Sequence, residues 1–178
     1  MISVLIADDQ DLVREGLRML LEAEGDLTVA GEAADGSQAL DQARLLDPDV
    51  ILMDVRMPGM NGIEATTRLA QAGSRARILM LTTYNLDEYV YYALKAGASG
   101  FLLKDASREQ LAGAVRVVSA GETLLAPAIT RRLIEDFCDG PAPGTPVAGA
   151  AGGLSERELG VVRLVAQGLS NEIGRAHV

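Results

Sequence analysis

The sequence predicts an α/β fold built on a doubly wound, five-stranded parallel sheet, followed by a linker and a small all-α fragment. Three observations predict it. Short, nearly pure apolar runs recur through the first 120 residues, the signature of strands buried on both faces. Amphipathic stretches with helical spacing separate them, giving five strand–helix units. Polar residues stop the apolar runs at one end: Asp8-Asp9 after Val4-Leu5-Ile6-Ala7, Asp54 after Val50-Ile51-Leu52-Met53, Thr82-Thr83 after Ile78-Leu79-Met80-Leu81, and Lys104 after Gly100-Phe101-Leu102-Leu103.

The elements follow in order. Strands are expected near 2–7, 27–33, 49–53, 77–82 and 99–103, and helices near 11–23, 36–46, 61–71, 86–96 and 107–120. In the first helix Leu12, Val13, Leu17, Leu20 and Leu21 recur at helical spacing, and Gly25 follows its end. Asp35-Gly36 and Asp47-Pro48 punctuate the second unit. Met57-Pro58-Gly59-Met60-Asn61-Gly62 forms a stiff, glycine-rich loop after the third strand. Val90, Ala93, Leu94 and Gly97 give the fourth helix its inward stripe, with Tyr89 and Tyr92 on a different face. Five of the six aromatics (Tyr84, Tyr89, Tyr91, Tyr92 and Phe101) fall between 84 and 101; either they pack on a neighbouring helix or they form a partner surface.

A linker is expected over 121–153, holding a short amphipathic helix at 127–137 and a Gly/Pro/Ala-rich stretch at 139–153. A new helix begins at Leu154-Ser155-Glu156-Arg157-Glu158, where Ser155 and Glu158 have capping-box spacing. Gly168 ends it, and Leu169-Ser170-Asn171 reads as a turn into a further helix.

Charge and composition narrow the function. The chain carries a net charge of −9. Residues 1–125 hold 19 acids and 11 bases, whereas 154–178 hold 3 of each. A general basic field for nucleic acid is therefore excluded in the large part, and DNA contact falls to the small one. No run of 18 apolar residues suggests a membrane span, no basic leader precedes the first strand, and Cys138 is the single cysteine. A cytoplasmic protein is expected.

In parallel sheets of this kind the carboxyl ends of the strands line the ligand crevice. Asp8, Asp9, Asp54, Thr82 and Lys104 are thus expected to converge. Taken singly, Asp8-Asp9 could be helix caps, Asp54 a turn acid and Lys104 a solvated lysine. Taken together, three carboxylates, a hydroxyl and an ammonium suit a hard cation and a phosphoryl group. Mg²⁺ takes carboxylates, carbonyls and waters; Asp9 and Asp54 are the direct ligands, Asp8 acts through water, and the Arg56 carbonyl completes the set. Asp54, isolated at a strand end, is the best nucleophile for aspartyl-phosphate formation, with Lys104 and Thr82 contacting the phosphoryl.

Ile6-Ala7-Asp8-Asp9, Met53-Asp54 through Gly62, Leu81-Thr82-Thr83 and Ala96 through Lys104 together resemble the receiver domain of a two-component response regulator over residues 1–120. The resemblance implies a flavodoxin-like fold. It also implies Asp54 as phosphoacceptor, Asp8, Asp9 and the Arg56 carbonyl around Mg²⁺, Lys104 on the phosphoryl, and Thr82 with Phe101 as a switch pair. Asp105 follows Lys104 where many receivers have proline, a variation common in the NarL/FixJ subfamily. Residues 154–171 resemble the opening of a LuxR-type helix-turn-helix domain, expected to be cut short before its recognition helix. Residues 172–178 resemble the translation of a common sequencing adapter and are set aside from fold reasoning. His177, the single histidine, lies there, so the phosphoryl group is expected from a partner sensor histidine kinase or a small phosphodonor. The expected product is a phosphorylation-controlled transcriptional regulator rather than an enzyme, with a possible homodimer and DNA contact through the C-terminal domain alone. Two rivals stand beside it: a stand-alone receiver acting through protein contacts, and a Mg²⁺-dependent aspartyl-phosphate phosphatase. The phosphatase would want an acid two residues past its nucleophile, and position 56 is Arg.

Overall fold

The computed structural model describes residues 1–83, 87–125 and 130. The chain divides into two units, 1–124 and 125–178, and the second lies almost wholly outside the described residues. The expected helix at 127–137, the stretch at 139–153, the helix-turn-helix segment and residues 172–178 therefore fall outside them, as do Tyr84 and the side chains of Tyr89 and Tyr91.

Strands and helices alternate throughout the first unit: β1 Ile2–Ala7, α1 Asp11–Glu22, β2 Leu27–Ala33, α2 Gly36–Leu46, β3 Val50–Asp54, α3 Gly62–Gln71, β4 Arg77–Thr82, α4 Asp87–Ala96, β5 Gly100–Leu103 and α5 Arg108–Ser119. A two-residue strand, β6 (Leu124–Leu125), was not expected; two residues are too few to show a periodicity. It enters through Leu124, whose N–H donates to the Ser99 carbonyl. The strand order is β2-β1-β3-β4-β5-β6, and the pairs among β1 to β5 are all parallel. From β1 the chain moves outward to β2, then crosses back to β3. The order reverses at β1, so the crevice of a doubly wound sheet lies at the carboxyl ends of β1 and β3.

Alternation along the strands builds the two halves of the core. Val4, Ile6, Val50, Leu52, Leu79, Leu81 and Leu102 face Leu21 of α1 and Leu111, Val115 and Val118 of α5. Leu5, Ile51, Met53, Met80 and Phe101 point to the opposite face and are equally buried. Local chemistry starts the helices. The Asp35 carboxylate accepts from the Gln38 N–H, Asn61 Oδ1 accepts from the Glu64 N–H, and Ser107 and Gln110 form a capping box at α5. Gly25 follows the end of α1 as expected, without serving as a left-handed cap. Ala23 closes the helix in right-handed geometry, and positive φ is absent at Gly25. Arg116 of α5 then clips the following turn by pairing with Glu24 and Asp26 at 2.8 and 2.7 Å.

Candidate functional site

Asp8 follows β1, Asp54 ends β3, Thr82 ends β4 and Lys104 follows β5, so four parallel strands deliver these side chains to one edge. Asp8, Asp54 and Thr82 are buried, Lys104 is nearly so, and Asp9 is exposed. Asp8, Asp9 and Asp54 each bring a carboxylate oxygen within 4.8 Å of the others. Lys104 Nζ lies between two of them, 2.6 Å from Asp8 Oδ2 and 3.0 Å from Asp54 Oδ2. The helix-cap alternative for Asp8-Asp9 does not hold. The N-cap of α1 is Gln10, without a side-chain bond, and Asp8 Oδ1 instead accepts from the Gln10 N–H at 3.0 Å.

The electrostatics are unbalanced. Three carboxylates share one ammonium. Asp8 Oδ2 is fully buried and, although beside Lys104 Nζ, takes no well-aligned hydrogen bond among the described residues. Burial pushes the Asp54 carboxyl above the ordinary carboxylate range, and the nearby Asp8 charge adds to this; Lys104 and the Arg56 N–H pull it down but do not prevail. Burial alone would lower the Lys104 ammonium, yet its ion pairs with Asp8 and Asp54 outweigh that and raise it. Clustered oxygen donors and more negative charge than one ammonium balances fit a hard divalent cation.

The loop after β3 is held in place by backbone contacts. The Arg56 side chain is exposed. Gly62 N–H donates to the Val55 carbonyl, and Gly36 N–H donates to the Met60 carbonyl. A Cβ at Gly62 would stand 2.0 Å from the Asp54 carbonyl oxygen, so only glycine permits this return. Thr82 Oγ1 donates to the Thr83 carbonyl at 3.2 Å, and the Thr82 carbonyl accepts from the Lys104 N–H at 2.8 Å. Phe101 is fully buried beside Met80, on the same sheet face as Thr82 and two residue pairs along the ladder. Tyr92 is exposed on α4.

Sequence reasoning missed three participants. Gln10 supplies the N–H that orients Asp8, and Gly62 supplies the space for the loop. Arg14 donates through Nη1 to the Asp8 main-chain carbonyl at 2.7 Å. Gly62 was legible as part of a glycine-rich loop; an arginine in the first turn of a helix carries no signal that it turns back over the preceding loop.

No helix among the described residues is long and apolar enough to cross a membrane. Residues 4–116 match the family described as response regulator receiver domain. The chain is 41% identical over 171 residues to the uncharacterized transcriptional regulatory protein YxjL of Bacillus subtilis (strain 168), covering 96% of this chain and 78% of that protein. It is 38% identical over 171 residues to the nitrate/nitrite response regulator protein NarL of Escherichia coli (strain K12), with the same coverages. Among solved structures, a LuxR-family two-component response regulator from Aurantimonas sp. SI85-9A1 superposes with a TM-score of 0.74 at 34% identity, covering 78% of this chain and 99% of that one. The response regulator ChrA of a heme-sensing two-component system gives 0.65 at 37% identity, covering 96% of this chain and 78% of that one. With a doubly wound sheet, acids at its switch point and relatives of this kind, the chain belongs to the two-component response regulators of the NarL/LuxR family and carries their receiver domain.

Proposed function

We propose that this chain is a phosphorylation-controlled switch that accepts a phosphoryl group on Asp54 in a Mg²⁺-dependent reaction and regulates transcription through a C-terminal DNA-binding domain. The observation that carries it is the bridging of Asp8 and Asp54 by Lys104 inside a three-carboxylate cluster. Asp8, Asp9, Asp54 and the Arg56 carbonyl would hold Mg²⁺, which when bound supplies positive charge to offset the carboxylates and the incoming phosphoryl oxygens.

The chain's own residues divide the remaining work. An Asp54 carboxylate oxygen forms the bond to phosphorus as the donor's bond to phosphorus breaks, and the departing group keeps that electron pair. Lys104 now pairs with Asp54 Oδ2; it is placed to follow the charge as it moves onto the phosphoryl oxygens. Thr82 supplies the hydroxyl donor, which exchanges its present bond to the Thr83 carbonyl for one to a phosphoryl oxygen. That rearrangement, next to Phe101 on the same face, is the coupling by which phosphorylation reaches the surface around α4. Sensor histidine kinases are the expected phosphodonors, and a homodimer is the expected active form.

Incubation of the protein with acetyl phosphate and Mg²⁺ tests this reading. Stoichiometric, hydrolysable label on Asp54, absent in Asp54→Asn and in EDTA, supports it. Rapid multiple turnover would instead indicate a phosphatase, and label elsewhere would remove Asp54 from its role.

A further inference from the structure

We propose that Arg14 is a positioning residue for the Asp8–Asp9 loop, setting the direction in which Asp9 is presented to the cation. The inference rests on Asp8, Asp9 and Asp54 being a Mg²⁺ site. The three acids are anchored unequally. Asp8 is held by the Gln10 N–H and Lys104, and the buried Asp54 by Lys104. The exposed Asp9 carboxylate has no hydrogen-bond or ion-pair partner among the described residues. Its direction is therefore set by its main chain.

That main chain leaves the sheet at Asp8, whose N–H still donates to the Ala33 carbonyl at 3.1 Å. The Asp8 carbonyl lies past the end of the ladder, where Arg14 Nη1 donates to it at 2.7 Å. This carbonyl belongs to the planar peptide joining Asp8 to Asp9. Holding it fixes the plane of that peptide, and so ψ of Asp8 and the line of the N–Cα bond along which Asp9 leaves it. The guanidinium is itself immobilised. Nε donates to Glu32 Oε2 at 3.2 Å, Nη2 pairs with Asp11, and the side chain is 13% exposed. Glu32 is in turn fixed on β2, its Oε1 accepting from Arg18 Nε at 2.7 Å. A rigid fork with several donors can make these contacts at once, and a lysine cannot.

The test uses the full chain with Arg14→Met and Glu32→Gln. The Gln side chain offers one acceptor where two guanidiniums need two, so it loosens Arg14 without touching the loop. Two readouts are taken: Mg²⁺ affinity by titration calorimetry, and amide exchange at Gln10 in EDTA. Arg14→Met is expected to weaken Mg²⁺ roughly tenfold, the scale for groups that orient metal ligands. Glu32→Gln should weaken it by a smaller factor. Gln10 exchange should quicken in Arg14→Met while the β1 amides of Leu5 and Ile6 keep their protection, which separates loop loosening from global destabilisation. Wild-type affinity in both variants overturns the positioning role alone; if Arg14→Met does not fold, Glu32→Gln decides. Failure of the wild-type protein to take up Mg²⁺ overturns the metal reading and this inference with it.

Discussion

Replacing Asp54 with Asn should stabilise the metal-free protein, because the carboxylate sits where its charge is poorly compensated. Lys104 at 3.0 Å attracts Asp54 by about 5–6 kcal/mol at an effective dielectric near 20. Asp8, within 4.8 Å, repels it by at least about 3.5 kcal/mol on the same basis. Asp9, at the same limit but exposed, adds about 1 kcal/mol at the dielectric of water. Attraction and repulsion nearly cancel, so the cost of burying the charge decides the sign, as the raised Asp54 carboxyl indicates. Its folded pKa lies above its unfolded one, so its ionisation disfavours folding as pH rises through that interval and at all higher pH. Asn keeps the shape and a neutral acceptor for Lys104, which retains Asp8. The expected gain is about 1–2 kcal/mol, or roughly 3–8 °C in Tm for a domain of this size. Calorimetric melting in EDTA at pH 7 measures it. Mg²⁺ at ten times its Kd should then raise wild type by about 1.4 kcal/mol and leave Asp54→Asn nearly unmoved. A variant less stable than wild type in EDTA would refute the picture of a carboxylate cluster short of positive charge.

Lys104→Met should destabilise the metal-free protein by about 3 kcal/mol, since Asp8 and Asp54 lose their shared cation, and urea denaturation would show it. The Lys104 pKa is raised on folding, so its stabilising contribution is complete below the ordinary lysine pKa and should fade as pH rises through the folded one; a pH series of melts on wild type and Lys104→Met checks this. Gly62→Ala should cost about 3 kcal/mol or more and weaken Mg²⁺ binding, because its Cβ meets the Asp54 carbonyl at 2.0 Å; an unchanged urea midpoint would contradict the loop geometry. Thr82→Ala should still take label on Asp54 from acetyl phosphate yet lose phosphorylation-dependent dimerisation in light scattering. Survival of the dimer would remove Thr82 from the switch.

The sequence by itself determined the order of elements and the identities of the clustered groups. Apolar runs such as Val50-Ile51-Leu52-Met53 have no reading but buried strands once helical stretches separate them, and Asp35, Asn61 and Ser107 start their helices through bonds spanning three residues. The convergence of Asp8, Asp54, Thr82 and Lys104 was legible for the same reason: parallel strands bring all their carboxyl ends to one edge. What depends on contacts far apart in sequence was not legible. The β6 strand exists because Leu124 finds the Ser99 carbonyl. The helix-cap reading of Asp8-Asp9 fails because the Asp8 side chain turns instead to Gln10 and Lys104. Whether Asp54 is held above or below its ordinary pKa follows from burial set against one lysine, a balance of distances that residue types do not carry. Arg14 reads on paper as a surface arginine of a first helical turn. Only the tertiary structure, by setting Glu32 of the neighbouring strand beside it, turns its guanidinium back onto the Asp8 carbonyl.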